Sequence, residues 1–200
     1  MPLSHSFYLR DDVVRVSRDL LGKFLVTRID GELTSGMITE TEAYRGLDDK
    51  ASHAFNNRRT KRTETMFRQG GCAYVYLCYG IHHLFNVVVG EEGLANAVLI
   101  RAVEPVDNVP LIQQRRKIPK MKPQLTAGPG VMSRALGIKT HLDGTTLLDE
   151  KGAIWIEDRG IRFTEDQIQS GPRIGVDYAG ECAGWPWRFY IKDSIWVSKK

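Results

Sequence analysis

The stretch AYVYLCYGIHHLFNVVV, residues 73–89, decides the architecture that the sequence predicts. Its two apolar runs, YVYLCY (74–79) and LFNVVV (84–89), have the β-branched and aromatic content of strands and flank a glycine at which a chain can turn. The sequence therefore predicts a β-hairpin. The apolar segment AVLIRAVEP (97–105) alternates poorly, which indicates a central strand buried on both faces.

Two strand-like segments and a helix precede this hairpin. Segments 23–30 and 35–44 read as strands, joined through the turn pair Asp30-Gly31. Before them, residues 11–22 have acidic residues at the start, apolar residues at helical spacing and a glycine at the end. This pattern predicts a short amphipathic helix.

The chain beyond residue 105 is predicted to be mixed. A helical pattern runs up to a basic segment, where Pro119 and Pro123 stop it, and residues 126–138 predict another short helix. Further short strands are predicted at 153–158, 172–178 and 187–193. Because the strands form hairpins instead of alternating regularly with helices, the predicted class is α+β with a mostly antiparallel sheet. Two hundred residues suffice for one domain, 1–200, with its own core.

The composition excludes several classes of protein. No apolar run approaches the ~20 residues of a membrane span, and the N-terminus lacks the pattern of a secretory signal. The three cysteines form no CxxC pair, which argues for a reducing compartment and against disulfides or a thiolate zinc site. The five histidines show no ligand spacing, so we expect no metal and no other cofactor.

The formal net charge is +4, and its distribution is more informative than its size. Cations are concentrated in two segments, 58–68 and 115–122. The first contains a single acid, Glu64, and the second contains none. Their members are Arg58, Arg59, Lys61, Arg62 and Arg68 in the first and Arg115, Arg116, Lys117, Lys120 and Lys122 in the second. Such clusters are most often solvated loops, but two in a small domain favour a polyanionic partner.

Acidic and aromatic side chains share strand faces. Glu40 and Glu42 lie two residues apart on a predicted strand, with Tyr44 continuing that face, and a carboxylate at a strand end can serve as general base toward water. Taken alone, such a pair is usually a solvated edge, and a lone histidine such as His53 is usually structural. Together with the tyrosines and cations, the set suits a protein that stacks a nucleobase and attacks the bond holding it.

An ordered set of segments resembles the alkyladenine-type 3-methyladenine DNA glycosylases. The segments are TETEAYRG (39–46), ASHA (51–54), MF (66–67), GGCAYVYLCYGIHHLFNVV (70–88), VLIRAVEP (98–105), LTAGPGVMSRALGI (125–138), GPRIGVDYAGE (171–181) and RFYIKDSIWVS (188–198). The resemblance covers nearly the whole chain. It implies a single α+β domain with a curved antiparallel sheet, surrounding helices and a protruding β-hairpin that intercalates into DNA.

The resemblance also implies an activity. The family releases alkylated or deaminated purines, the class of 3-methyladenine, 7-methylguanine, hypoxanthine and ethenoadenine, from double-stranded DNA in base excision repair. A damaged base cannot be reached inside the duplex, so such an enzyme extrudes it first. Because no lysine matches a nucleophile of the family, we expect a monofunctional glycosylase. We also expect a monomer, cytoplasmic or nucleoid-associated in a bacterium and nuclear in a eukaryote.

Five residues match the family's base pocket. Tyr76 and Tyr44 would form opposite aromatic walls with His53 beside them, Asn86 would crowd the exocyclic amino group of guanine, and Val176 would line the floor. Aromatic walls attract cationic alkylated purines through stacking and cation–π interactions. A neutral lesion gains less from the walls, so we expect hydrogen bonding, with His53 as a candidate, to contribute more there.

Three further residues match the catalytic centre and the wedge. Glu42 would orient and deprotonate the water that attacks C1′, and Arg101 beside it would hold the carboxylate ionised. Tyr79 at the hairpin turn would enter the vacated base stack, where stacking is worth ~1–3 kcal/mol. Tyr74 is expected to be a core residue.

Two other functions remain open at this level. One is a noncatalytic nucleic-acid-binding module that uses the same aromatic and basic side chains. The other is a domain like the C-terminal domain of formyltransferases, which binds tRNA. Neither accounts for the joint presence of Glu42, Arg101 and Asn86 with the tyrosines.

Overall fold

The computed structural model describes residues 1–198, and they form one antiparallel sheet with helices around it. The strands are β1 (Phe24–Ile29), β2 (Glu32–Tyr44), β3 (Ala73–Cys78), β4 (His82–Val89), β5 (Asn96–Pro105), β6 (Ile154–Glu157), β7 (Ile168–Gly171) and β8 (Arg188–Ile191). The α-helices are α1 (His5–Tyr8), α2 (Val13–Asp19), α3 (Val109–Arg116) and α4 (Pro129–Ala135), with short 3-10 helices between elements. The predicted α+β class is confirmed. No helix in the described part of the chain is long and apolar enough to cross a bilayer.

The sheet is open and its order is β3-β4-β5-β2-β1-β6. Strand β8 adds to β2 beside β1, and β7 pairs with β8. The predicted hairpins are both present: β1 and β2 join through Asp30-Gly31, where both residues have positive φ, and β3 pairs with β4 from Ala73↔Val87 to Cys78↔His82.

Strand β2 connects the two halves of the sheet. Its first half pairs with β1, residues 40–42 pair with β8, and β5 follows its other edge. The register between β2 and β5 shifts on both sides of Glu40, so that Arg101 has no direct partner across the ladder. Such an irregularity bends the strand and re-aims side chains. Arg101 is thereby free to contact two acidic side chains of β2.

One face of the sheet carries the hydrophobic core. Helices α2 and α4 pack on β2, β4 and β5, and their apolar side chains share one buried cluster with alternate strand residues. The cluster includes Val16, Leu20, Phe85, Val87, Val98, Ile100, Met132 and Leu136. Each fully buried side chain of this size contributes roughly 1.5–3 kcal/mol. The acidic start predicted for the first helix is confirmed, since Asp12 accepts the backbone N–H of Arg15 at 2.9 Å.

The prediction of a strand at 172–178 is wrong. The strand β7 ends at Gly171, and a 3-10 helix, Asp177–Gly184, begins six residues later. Between them the chain bends, with Gly175 at φ +77°. The backbone N–H of Ile174 donates to the carboxylate of Glu42 instead of to a neighbouring strand. Side-chain hydrogen bonds thus replace the strand ladder in this segment, which alternation of apolar residues cannot reveal.

Candidate active site

The face of the sheet opposite the core carries a row of polar and aromatic side chains. Directly paired positions run from Tyr74 to Asn86, from Asn86 to Leu99, from Leu99 to Glu42, and from Glu42 to Arg188. Paired residues point to the same face of a sheet. Strand register alone therefore brings side chains from five strands together.

A cavity of about 420 Å³ lies over this face. Such a volume is within the range of small-molecule sites, roughly 300–1,000 Å³. Its walls include all five residues of the predicted base pocket, together with Arg101 and Tyr79. The residues that the sequence placed in a pocket are therefore gathered around one space.

Glu42 is fully buried directly behind the cavity wall. Its Oε1 accepts the backbone N–H of Ile174 at 2.8 Å and faces Nη1 of Arg101 at 3.2 Å, while Oε2 accepts the hydroxyl of Tyr44 at 2.7 Å. These three donors themselves line the cavity. The carboxylate is thus fixed by groups that themselves form part of the cavity wall.

Arg101 connects Glu42 with the second acid of the strand. Its Nε donates to Oε1 of Glu40 at 3.0 Å, and Glu40 also accepts from Arg188 at 2.7 Å and from the hydroxyl of Ser198 at 2.9 Å. Burial alone lowers the pKa of Arg101, but the carboxylates of Glu42 and Glu40 outweigh it and leave that pKa raised. The guanidinium therefore stays charged and holds both acids on one face, as the spacing predicted.

Tyr44 is a donor to Glu42 as well as a wall of the cavity. Burial, followed by the nearby carboxylate of Glu42, raises the pKa of Tyr44 well above its usual value. The hydroxyl therefore keeps its proton and donates a hydrogen bond to the Glu42 carboxylate. The aromatic wall and the carboxylate are thus one hydrogen-bonded unit.

His53 is held in one tautomer by two neighbours. Nη2 of Arg62 lies 3.2 Å from Nε2, and Nδ1 lies 3.0 Å from the hydroxyl of Tyr74. Because a guanidinium can only donate, Nε2 accepts and the proton of the neutral ring resides on Nδ1. Burial, with a further contribution from Arg62, lowers the pKa of His53 to about 4. The ring is therefore neutral at physiological pH.

Aromatic rings form the wall around His53. The ring of Tyr76 lies 4.6 Å from that of His53 in an edge-to-face arrangement and 5.4 Å from that of Tyr74. The guanidinium of Arg62 lies 5.0 Å from the centre of the Tyr76 ring. Tyr74 is buried, as expected, but it also lines the cavity, and its hydroxyl accepts a hydrogen bond from Nδ1 of His53. Its assignment to the core alone was therefore incomplete.

Asn86 and Val176 complete the predicted pocket. The amide nitrogen of Asn86 donates to the carbonyl of Tyr74 at 3.1 Å, which holds this buried side chain rigidly at the cavity wall. Val176 is buried against Ala51 and Ala179 at the start of the 3-10 helix Asp177–Gly184. Both side chains present a fixed shape to whatever enters the cavity.

Tyr79 stands in the turn of the β3–β4 hairpin and is 92 % exposed. Its φ is +50°, a left-handed conformation that costs a non-glycine residue about 1–2 kcal/mol. Ile81 in the same turn is 71 % exposed. The hairpin therefore presents a strained, exposed tyrosine at the edge of the cavity, and the fold itself gains no packing from it.

Sequence reasoning missed three contributors to the cavity. Arg62 belongs to the 58–68 basic segment, and its contacts with His53 and the ring of Tyr76 distinguish it from its neighbours. Tyr178 lines the cavity mouth, 71 % exposed, with its hydroxyl donating to the carbonyl of Ala51 at 3.2 Å. The N–H of Ile174 is a backbone group and leaves no signal in a sequence. Tyr178, an aromatic residue two positions after Val176, could have been singled out.

The basic segments are only partly available to a partner. Arg115 donates to the carbonyl of Ala135, and Arg116 donates to the carbonyl of Leu125. These two arginines hold α3 to neighbouring chain segments. In the 58–68 segment, Arg58 and Lys61 are exposed, and Lys61 directly precedes the cavity residue Arg62. Within residues 1–198, no group of three or more histidine, cysteine or acidic side chains is arranged to hold a metal ion.

A known protein family matches nearly the whole chain. The profile of a family described as methylpurine-DNA glycosylase matches residues 6–195. The chain belongs to the methylpurine-DNA glycosylase family. Family membership makes it a DNA glycosylase, an enzyme class of DNA repair.

Bacterial relatives match this glycosylase from end to end. A protein of Clostridium botulinum is 47 % identical, with all of both chains covered. Proteins of Chlamydia felis and Bacillus cereus are 47 % and 46 % identical, with 99 % and 98 % of both chains covered. Each is named "Putative 3-methyladenine DNA glycosylase".

Proposed function

We propose that this glycosylase extrudes 3-methyladenine and related damaged purines from duplex DNA and hydrolyses the bond between base and deoxyribose. The wider substrate class comprises 7-methylguanine, hypoxanthine and ethenoadenine. The observation that carries the proposal is the placement of Glu42, whose carboxylate is bound by Tyr44, Arg101 and Ile174 at the wall of an aromatic cavity.

The aromatic cavity supports binding of a single extruded purine. Tyr44 and Tyr76 offer flat faces for stacking, and an electron-poor alkylated purine stacks well on such faces. The pinned side chain of Asn86 would collide with the exocyclic amino group of guanine. Selection against undamaged guanine would then rest on a clash as much as on attraction.

The exposed Tyr79 supports a mechanism that begins with base extrusion. A tyrosine held outside the fold by a strained turn can enter the gap that the extruded base leaves. Its stacking recovers ~1–3 kcal/mol of the few kcal/mol that unstacking costs. Exposed cations of the 58–68 segment, such as Arg58 and Lys61, would contact phosphates and make binding depend on salt.

The chemical step would use Glu42 as general base. The carboxylate takes a proton from water as the water oxygen bonds to C1′, and the C1′–N bond breaks with its electron pair leaving on the base. The products are the free purine and an abasic sugar. The carboxylate also stabilises the positive charge that develops on the sugar. Among described residues, no lysine lines the cavity, which supports hydrolysis without strand cleavage.

The proposal is tested by replacing the acid while keeping its shape. Glu42→Gln retains an acceptor for the Ile174 N–H but removes the base and the charge that pairs with Arg101, so single-turnover release of 3-methyladenine from methylated duplex should fall at least ~10³-fold. Binding of the duplex should change less than about three-fold. Unchanged release would refute the role of Glu42, and loss of binding would indicate a structural role instead.

A further inference from the structure

A second buried ion pair lies behind the cavity, formed by Asp49 and Arg173. Nη1 of Arg173 donates to Oδ2 of Asp49 at 2.5 Å, and Nη2 donates to Oδ1 at 2.8 Å. Both side chains are completely buried. This bidentate pair takes no part in the cavity wall, so it has no direct contact with a substrate.

Each partner holds a segment of the site in place. Arg173 also donates to the carbonyls of Ala43 at 2.8 Å and Cys182 at 3.1 Å, which ties the end of β2 to the C-terminal 3-10 helix. Asp49 accepts the backbone N–H of Ala51 at 3.0 Å, within the loop that leads to His53. The ion pair therefore joins three separate chain segments.

Two of the three donors to Glu42 belong to these segments. Ile174, whose N–H reaches Oε1 at 2.8 Å, is the residue next to Arg173. The ring of Tyr44, whose hydroxyl reaches Oε2 at 2.7 Å, lies 4.8 Å from the guanidinium of Arg173. Arg173 is thus directly bonded to the donor of one carboxylate oxygen and packed against the donor of the other.

Stability is a weak explanation for such a pair. Removing two charges from water is costly, and well-packed apolar residues often replace a buried ion pair without loss of stability. The segment 172–176 has no strand ladder to fix it, and its position depends on the side chain of Arg173 and the N–H of Ile174. A charged, bidentate contact specifies one geometry for this segment where apolar packing would allow several.

We propose that Asp49 and Arg173 are positioning residues for Glu42, fixing the Ile174 N–H and the Tyr44 hydroxyl so that the carboxylate keeps one orientation toward the cavity. This inference rests on the proposed function, in which Glu42 prepares the attacking water. A misplacement of about 1 Å at a reacting group can reduce a rate about 100-fold.

The experiment measures chemistry and binding separately. In Asp49→Asn, single-turnover release of 3-methyladenine from methylated duplex should fall about 30- to 100-fold per folded molecule, while the Kd for the duplex changes less than about three-fold. Arg173→Lys keeps the charge but loses the bidentate contact, so its rate should lie between wild type and Asp49→Asn.

A matched control removes a different ion pair. Nζ of Lys23 lies 2.8 Å from Oδ2 of Asp158, and the Lys23 side chain is nearly as buried, but neither residue contacts the cavity. Lys23→Met should lower the melting temperature and leave the rate of release unchanged. If the rate of Asp49→Asn falls only in proportion to its stability, as in this control, the positioning role is wrong.

A double-mutant cycle with Glu42→Gln separates the possible failures. If Asp49 acts through Glu42, adding Asp49→Asn to Glu42→Gln should not reduce the residual rate further. Equal losses in both backgrounds would overturn the positioning role while leaving Glu42 as the base. A Glu42→Gln variant with full activity would instead refute the role of Glu42 as the base, and absence of release by the wild type would refute the proposed function itself.

A variant that keeps no unpaired charge guards against misfolding. Asp49→Asn leaves a buried guanidinium without its partner, which is strongly destabilising in general. If the Asp49→Asn variant does not fold, the double variant Asp49→Asn/Arg173→Gln replaces it. Both groups are then neutral amides, and we expect the same changes in rate and binding. Wild-type release by the folded double variant would overturn the proposal.

Discussion

Arg62 and His53 meet at the cavity, where Nη2 of the arginine donates to Nε2 of the histidine at 3.2 Å. The contact assigns the ring proton to Nδ1, which donates to Tyr74. A side chain of the basic segment thereby determines which hydrogen-bonding groups the cavity offers. It also places a positive charge near the aromatic ring of Tyr76.

Removing this charge should raise the pKa of His53. Arg62 is the second cause of the lowered pKa, after burial, so Arg62→Met should raise that pKa by roughly 0.5–1 unit. NMR titration of the imidazole protons measures the change. Lys61→Met, which removes a charge from the adjacent exposed position, is the control and should have little effect. Equal shifts in both variants would contradict the direct contact.

The lowered pKa of His53 also predicts a pH dependence of stability. Between about pH 4 and pH 6.5 the unfolded chain binds a proton at this histidine and the folded protein does not, so stability falls as the pH falls through this range. The loss attributable to His53 is roughly 2 kcal/mol. Urea unfolding of His53→Gln at pH 4.5 and pH 7 should show a correspondingly smaller difference than wild type. The exposed His141, replaced by Gln, should leave the difference as in wild type.

Replacing Tyr79 should separate stability from function. Tyr79→Gly removes the strain of φ +50°, so the free energy of unfolding should stay equal or rise by up to about 1 kcal/mol. The loss of the ring should weaken base extrusion by the ~1–3 kcal/mol of one stacking contact. The fluorescence of a duplex that carries ethenoadenine reports how far the base is unstacked. Tyr79→Phe should behave as wild type, and a wild-type signal from Tyr79→Gly would exclude the wedge.

Shortening Asn86 should relax discrimination against guanine. Asn86→Ala removes the carboxamide that is pinned to the Tyr74 carbonyl, so release of guanine from undamaged duplex should rise about ten-fold. Chromatography of released bases measures it. Asn96→Ala is a matched control, because Asn96 is a buried asparagine of β5 that does not line the cavity. Unchanged release by Asn86→Ala would refute the steric role.

Much of the secondary structure is predictable because it depends on short, local stretches of sequence. Strand-like runs and turn glycines predict the two hairpins, a continuous apolar run predicts β5, and the acidic start at Asp12 predicts α2. The two-residue spacing of Glu40 and Glu42 placed both acids on one face, where Arg101 contacts them. Segment 172–178 was mispredicted as a strand because its conformation depends on long-range contacts of Arg173.

The amino-acid sequence by itself determined which strand faces carry the tyrosines, acids and cations of the site. Residue types are read directly from the sequence, and side chains alternate between the two faces along a strand. Only the tertiary structure decided what each group does there. Whether Arg62 binds His53, whether Ile174 turns its N–H toward Glu42, and whether Asp49 meets Arg173 depend on segments far apart in the chain. Hydrogen bonds and ion pairs require donor and acceptor within about 3 Å. Residue spacing cannot specify that distance between distant segments, but a folded sheet with its loops does.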